Sequence, residues 1–460
     1  MVHRYKNNGY NIVLDSNSGS VHVMDEVAYD IVGLYEEKES EEIVSEILEK
    51  YKDSPDVTRE EILETIGDID ELKKSGKLFT RDIFADTVFD FKERQSVIKA
   101  LCLHVAHDCN LRCKYCFAGE GEYKGEKALM SLETGKKALD FLIEQSGTRR
   151  NLEVDFFGGE PLMNWEVVKE LVKYGREQEK LHDKNFRFTL TTNGVLLDDE
   201  VMEFANREMS NVVLSLDGRK EVNDRFRCSA NGKGSYDLIV PKFQKMAESR
   251  GQKDYYIRGT YTRHNTDFAE DILHMADLGF EQISIEPVVA PPEEDYALKK
   301  EDLPKLLSEY DRLAVEMIKR KKAGKGFTFF HYMIDMTGGP CIVKRVSGCG
   351  VGTEYMAVTP WGDLYPCHQF VDNPDFKVGN VYEGITRPEV CGEFKKCNVY
   401  AHKECSDCFA RMYCSGGCPA NAFHSTGKIT GIYELGCELH RKRIECAIMI
   451  KVAEAFDSEE

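Results

Sequence analysis

Nowhere in these 460 residues do apolar side chains run on for the roughly 18 positions that a membrane-crossing helix needs. No association with a membrane is expected. The opening stretch, Met1-Val2-His3-Arg4-Tyr5-Lys6-Asn7-Asn8, carries charge with no apolar segment behind it, so no secretory signal is read there and a cytoplasmic, reducing setting is expected. Positive charge is in short supply: 61 Lys and Arg stand against 80 Asp and Glu, a net charge of −19. That balance argues against nucleic acid as a partner. No internal repeat or low-complexity tract stands out. With 42% hydrophobic and 31% charged residues there is ample material for a core, and a chain of this length suggests two to four domains.

Cysteine, by contrast, is plentiful. Sixteen are too many for a routine cytosolic enzyme and too few for a small disulfide scaffold. In a reducing compartment such thiols read as metal ligands.

Three regions follow from the pattern. Residues 1–95 hold no cysteine cluster. Two apolar-rich runs, Asn11 to Leu14 and Val21 to Met24, flank Ser16-Asn17-Ser18-Gly19 as in a β-hairpin. Helical spacing then covers Val27 to Tyr35, Ser40 to Tyr51 with Ser40 as its cap, and a stretch opened by the capping box Thr58-Arg59-Glu60-Glu61 and closed by Gly76. A hairpin with three helices makes a winged-helix-like unit, and its acidic helices disfavour DNA binding. Residues 96–325 alternate strands with helices. Six strands are expected, at Ile98–Ala106, Leu152–Phe157, Phe186–Thr191, Asn211–Leu216, Tyr255–Tyr261 and Gln282–Glu286. Six strand–helix units in series predict an α/β fold, a partial (β/α)6 TIM-like barrel with its chemistry at the carboxyl ends of the strands. Residues 326–460 hold eleven of the sixteen cysteines among Gly and short turns, so metal is expected to supply much of their order.

The sharpest motif is Cys109-Asn110-Leu111-Arg112-Cys113-Lys114-Tyr115-Cys116, directly after the first barrel strand. Three thiolates in one loop suit three irons of a [4Fe–4S] cube and leave the fourth iron open. A structural zinc site would want a fourth ligand, which His104 or His107 could supply. Gly158-Gly159-Glu160-Pro161 follows the second strand, Thr192-Asn193-Gly194 the third, and Ser215-Leu216-Asp217-Gly218 the fourth. The two glycines permit close backbone approach and would leave groups free at the strand edge. This set resembles the radical S-adenosylmethionine (radical SAM) superfamily. The resemblance implies that Cys109, Cys113 and Cys116 are the catalytic cluster ligands. It places Tyr115 near the adenine, the Gly158–Pro161 motif at the methionine amino group, and Ser215 at the ribose or carboxylate. Asn193 joins this cofactor set, although for Thr192, Asn193 and Asp217 ordinary turn and capping roles stay open. Arg227 either neutralises the cofactor carboxylate or is solvated.

Toward the C-terminus, Cys349 and Cys367 flank Gly362, then come Cys405-x2-Cys408-x5-Cys414-x3-Cys418 and, alone, Cys437. This resembles the SPASM extension of radical SAM peptide-modifying enzymes. The resemblance implies one auxiliary [4Fe–4S] cluster on Cys405, Cys408, Cys414 and Cys437, and a second on Cys349, Cys367 and Cys418, for three clusters in all. The fourth ligand of the second is Cys341 or a substrate thiol. A zinc ribbon is the bland alternative, given the C-x2-C. Cys102 reads as a core residue, and Cys391 and Cys397 have no firm role.

The whole order, from Asn11-Ile12-Val13-Leu14-Asp15 through the cysteine loop to the C-terminal cysteines, is similar to the maturases of six-cysteine (SCIFF) ribosomal peptides. That implies a leader peptide bound by strand addition to residues 1–95, cleavage of S-adenosylmethionine with hydrogen abstraction from a Cys-rich precursor peptide, and thioether links between a cysteine sulfur and a carbon. It also implies an external low-potential electron donor and an anaerobic host. Two rival readings are an anaerobic sulfatase-maturing enzyme, which needs no leader-binding unit, and a non-catalytic electron-transfer protein.

Overall fold

A computed structural model describes residues 1–85, 96–119, 121–123, 125–336 and 342–457. Cys341 and the expected junction at residue 95 lie outside the described residues. The chain opens with three antiparallel strands in the order β1 (Val2–Asn7), β2 (Tyr10–Asp15) and β3 (Val21–Met24). The hairpin expected from the sequence is β2–β3. The additional strand, β1, turns into β2 through Asn8-Gly9, both at positive φ (50° and 83°), the Asn-Gly turn whose twist suits a two-residue hairpin. Helices α1 (Glu26–Leu34), α2 (Ser40–Lys50) and α3 (Arg59–Lys74) follow. The cap of α2 is Glu39 rather than Ser40: the Glu39 N–H donates to the Glu42 carboxylate at 3.2 Å, one residue earlier than the serine. The Thr58–Glu61 box forms in both directions, and Gly76 follows α3 at φ +70°.

Strand alternation gives this unit two cores. Val13 faces Ile31, Ile43, Ile47, Ile62 and Ile66 of the three helices. Ile12 and Leu14 face the other way and, with Tyr5, join the main core of the protein. Each such side chain contributes about 1.5–3 kcal/mol on burial, so the unit is welded to the body.

The main sheet has six parallel strands in the order β4 (Ala100–His107), β6 (Asn151–Gly158), β7 (Asn185–Thr192), β8 (Met209–Ser215), β9 (Tyr255–Tyr261) and β10 (Gln282–Pro287). A two-residue strand, β5 (Ala128–Leu129), pairs with the end of β4. Helices α4 (Leu132–Gln145), α5 (Trp165–His182), α6 (Asp199–Glu208), α7 (Lys220–Phe226), α8 (Tyr236–Ser249), α9 (Phe268–Asp277) and α10 (Leu303–Lys322) fill the crossovers. Leu152, Val154 and Phe156 of β6 and Phe186, Phe188 and Leu190 of β7 are buried in the core with helix residues such as Leu139 and Leu171. The alternate residues, among them Asp155, Thr189 and Thr191, line the concave side. This is the expected partial barrel.

The sheet extends past it at both ends. β11 (Thr328–Phe329) adds to β10, and β12 (Tyr355–Val358) adds parallel to β4, with Ala357 opposite Cys102. Antiparallel β13 (Asp363–Tyr365), β14 (Gly379–Asn380) and β15 (Gly384–Ile385) continue from β12. The cysteine-rich region therefore shares a sheet with the barrel. Its helices are α11 (Ile342–Ser347), α12 (Pro388–Lys395), α13 (Arg411–Cys414), α14 (Pro419–Thr426) and α15 (Glu434–Asp457). The N-terminal sheet docks on α15: His3 Nε2 lies 2.9 Å from Glu445 Oε1, and the His3 ring stacks on Phe409 with centroids 3.6 Å apart. Among the described residues, no helix is long and apolar enough to cross a membrane.

Candidate functional site

The loop after β4 places Cys109, Cys113 and Cys116 at the carboxyl end of the strand, where a parallel sheet opens. Burial, reinforced by the Glu160 carboxylate, pushes the Cys109 thiol up to about 12. Burial does the same to Cys113, against the pull of the Arg227 guanidinium, and the Cys109 and Cys116 thiols add to it. Cys109 Sγ accepts from Leu111 N at 3.4 Å and from Asn193 Nδ2 at 3.6 Å. His104 and His107, the sequence's candidates for a fourth zinc ligand, are instead fully buried and bonded to each other at 3.1 Å, flanked by the Tyr123 ring.

The Gly158–Pro161 turn packs directly on this loop. A Cβ on Gly158 would lie 2.2 Å from Ala106 O, and one on Gly159 2.1 Å from Asp108 O, so no side chain fits at either position. The Gly159 N–H donates to Ala106 O at 2.7 Å and the Glu160 N–H to Asp108 O at 2.9 Å. Both donors are engaged, and an ammonium here would be met by carbonyl oxygens. The Glu160 carboxylate is buried and accepts from Thr192 Oγ1 (2.8 Å), Asn193 N (2.8 Å) and Leu162 N (3.1 Å). Burial outweighs those bonds and pushes it up to about 7. Asn193 in turn donates through Nδ2 to Asn110 Oδ1 at 2.7 Å. One carboxylate thus fastens the ends of β6 and β7, and Asn193 fastens both to the cysteine loop.

A second tie was not visible in the sequence. Asp217, fully buried at the end of β8, accepts from Tyr115 Oη at 2.6 Å and from Thr260 N at 2.9 Å. Its Oδ1 lies 3.0 Å from Arg227 Nε, and the Arg227 guanidinium sits 5.6 Å from the Tyr115 ring centroid. Arg227 is therefore not solvated; it is a buried cation paired with Asp217. Ser215 ends β8 in register with Arg258 of β9.

The C-terminal thiols act on one another in two sets. Partial burial pushes Cys414 up to about 12, and the thiols acting on it are Cys437, Cys405 and Cys408. Cys367 is likewise pushed up to about 12 by burial, with Cys418 and Cys349 as its thiol neighbours. The backbone N–H groups of Gln369 and Phe370 favour the ionised form of Cys367, and those of Asn421 and Ala420 the ionised form of Cys418. All described cysteines are free. Cys102 is buried in the wall, and Cys397 points its thiol at the carbonyls of Glu393 and Ile429.

Residues 103–279 match the sequence model of the radical SAM superfamily, residues 349–409 that of the SPASM iron–sulfur cluster-binding domain, and residues 11–73 that of coenzyme PQQ synthesis protein D (PqqD). This is a radical SAM enzyme fold with a PqqD-like domain before it and a SPASM domain after it. The chain is 24% identical over 336 residues to a cysteine-type anaerobic sulfatase-maturating enzyme of Clostridium novyi, a match covering 68% of this chain and 86% of that one. Its fold is similar to that of anSMEcpe with bound AdoMet (TM-score 0.66, 19% identity, 78% of this chain and 96% of that one). It is also similar to Streptococcus suis SuiB bound to precursor peptide SuiA (TM-score 0.53, 16% identity, 94% and 97%).

The radical SAM and SPASM domains imply iron–sulfur clusters and S-adenosylmethionine, and the donor sets fit them. Burial raises Cys109, Cys113, Cys367 and Cys414, so ionising neighbouring thiols here calls for a cationic partner, which the iron of such clusters supplies.

Proposed function

We propose that this radical SAM enzyme forms intramolecular thioether crosslinks in a ribosomally made, Cys-rich precursor peptide. What supports the reading is that Cys405, Cys408 and Cys437 act on Cys414 while Cys349 and Cys418 act on Cys367, behind a PqqD-like domain. In this reading Cys109, Cys113 and Cys116 hold the catalytic cluster. Tyr115, Gly158, Gly159, Glu160, Pro161, Asn193 and Ser215 form the S-adenosylmethionine site. Cys405, Cys408, Cys414 and Cys437 hold one auxiliary cluster, and Cys349, Cys367 and Cys418 the other, its last position filled by Cys341 or by a substrate thiol. When bound, the catalytic cluster and S-adenosylmethionine supply hydrogen-atom abstraction from an unactivated carbon.

The chain's own residues do the rest. Glu160 and Asn193 fix the cysteine loop against β6 and β7, and Asp217 fixes Tyr115 and Arg227 beside it. β3 ends the N-terminal sheet and is the edge on which a leader would add as a further strand. The enzyme works in the cytoplasm of an anaerobe with an external low-potential electron donor. The likeness to sulfatase-maturing enzymes supports the radical SAM and SPASM parts of this reading and equally supports a formylglycine-forming activity.

The test is anaerobic reconstitution with a leader-bearing precursor peptide that carries six cysteines in a compact core. Loss of two hydrogens per link, with the linked cysteines resistant to alkylation, is the expected result. Conversion of a cysteine or serine to an aldehyde in a leaderless sulfatase peptide, with the Cys-rich peptide unchanged, would overturn it.

A further inference from the structure

Strand β9 lies inside the sheet, flanked by β8 and β10. Its residues Tyr255, Ile257 and Gly259 are buried, while Arg258, on the opposite face, is exposed. In the middle of an interior strand of a curved sheet, that exposure is to the lumen. Arg258 stands in register with Ser215 of β8 on one side and Ser284 of β10 on the other, and in-register neighbours share a face.

The guanidinium acts electrostatically on Glu286, His331 and His368. It nevertheless forms no ion pair or side-chain hydrogen bond among the described residues. Glu286 is already engaged: Arg443 donates to it from Nη1 and Nη2, both at 3.2 Å, and His331 Nε2 lies 3.4 Å away. His331 also bonds to Ser284 Oγ at 3.1 Å. Arg258 therefore presents a planar fork of donors with no acceptor of its own. Ser215, in register with it, lies on the side of the cysteine loop, and His368, on which it acts, follows Cys367 of the three-cysteine set.

We propose that Arg258 binds a carboxylate or carbonyl oxygen of the peptide segment that enters the lumen, and so fixes that segment between the two cysteine groups. The assignment rests on the peptide-modifying reading above. The methionine carboxylate of S-adenosylmethionine has the same chemistry, so the test separates the two sources. The reconstituted full-length protein is compared with Arg258→Gln and Arg258→Lys, after iron content and melting temperature establish that each folds; if the Gln variant does not, the Lys variant carries the comparison. Two dissociation constants are measured: that of S-adenosylhomocysteine, and that of a leaderless core peptide carrying six cysteines in a compact tract.

The expected result is a ten- to hundredfold weaker core segment in the Gln variant, about the loss of one or two hydrogen bonds to a charged group. The Lys variant falls between, since it keeps the charge and loses the fork, and S-adenosylhomocysteine stays within twofold of the parent. Weakened S-adenosylhomocysteine with an unmoved core segment would overturn the peptide assignment and give the oxygen to the nucleoside. Two unmoved constants would overturn the site altogether. Failure of the parent to modify the peptide would count against the functional reading instead, because the binding comparison does not depend on turnover.

Discussion

Asp217→Asn isolates the tie that holds Tyr115 and Arg227 beside the cysteine loop. The wild-type carboxylate is fully buried and serves three partners: Tyr115 Oη at 2.6 Å, Thr260 N at 2.9 Å and the Arg227 guanidinium at 3.0 Å. An amide keeps an acceptor for the Thr260 N–H. It removes the charge that Arg227, with 12% of its side chain exposed, needs as a counter-ion. Breaking one partner out of a buried pair costs about 3–5 kcal/mol; the retained bond to Thr260 places the expected loss near the lower bound, about 3 kcal/mol.

Tyr115→Phe removes one hydrogen bond to a charged acceptor and should cost about 1.5–2 kcal/mol. The two substitutions share that bond, so the double variant should be more stable than their sum predicts by about 1–2 kcal/mol. The assay is urea unfolding of the four anaerobically reconstituted proteins, followed by tyrosine fluorescence. Strict additivity within about 0.5 kcal/mol would refute the reasoning, because Tyr115 and Asp217 would then not act on each other.

Other outcomes follow from the same structure. Replacing Cys109, Cys113 and Cys116 by Ala should lower iron from about 12 to about 8 per chain, four per cluster, and abolish cleavage of S-adenosylmethionine; stoichiometric zinc in the anaerobic parent would contradict it. In the β2–β3 ladder the Asp15 N–H donates to Ser20 O, and the alternation of an antiparallel pair then turns the Val23 N–H to the open edge. Val23→Pro should therefore weaken leader binding by calorimetry while peptide-free S-adenosylmethionine cleavage persists; unchanged leader affinity would contradict strand addition. Burial in the lumen wall raises Asp155 from 3.8 to about 6. A raised carboxyl contributes its stability below the unfolded value and loses it as pH rises through the folded one. Asp155→Asn should then gain about 1–3 kcal/mol over the parent at pH 8 and nothing at pH 4, read from denaturation midpoints at both. Cys341→Ala should leave iron content and crosslinking intact if a substrate thiol completes the group of Cys349, Cys367 and Cys418, and should lose iron if Cys341 does.

What the sequence disclosed was what lies close along the chain. The Cys109–Cys116 spacing, the Thr58–Glu61 box and the alternation of the six barrel strands are each contained in a window of a few residues, so their physics is local. The Asn8-Gly9 turn was there to be read and would have given β1, but the charged residues of Val2–Asn7 hide its strand period. Ser40 was read as a cap because serine commonly is one; the glutamate before it makes the same bond through Glu42. The Asp217 network could not be read, because Tyr115, Arg227 and Thr260 meet Asp217 only when three separate crossovers have closed. The same holds for the pairing of β12 with β4, which joins residues some 250 positions apart and makes the cysteine-rich region part of the barrel's sheet. The bonds of the Gly159 and Glu160 N–H groups could not be read either, because their acceptors, Ala106 O and Asp108 O, belong to another strand and the loop after it.

The PqqD-like domain could have been a tethered module, whose hold on a peptide would act only through the length of its linker. The contacts argue otherwise. Ile12, Leu14 and Tyr5 are buried in the main core. Arg411, which stands between Cys408 and Cys414, donates from Nη2 to Asn17 Oδ1 and to Asp82 Oδ2, each at 2.8 Å, and from Nη1 to Ser406 O at 2.8 Å. Asn17 belongs to the turn that joins β2 to β3. The same guanidinium acts on the Cys405 thiol. The open strand edge and the four-cysteine group are thus fixed to each other through one side chain. If a leader adds to β3 as proposed, it would be held at a set distance from the lumen, and the residue presented there would be set by its position along the peptide. In such an arrangement, lengthening the segment between leader and core by one residue should move the modified position by one residue in the opposite sense, whereas a tethered module would tolerate the insertion.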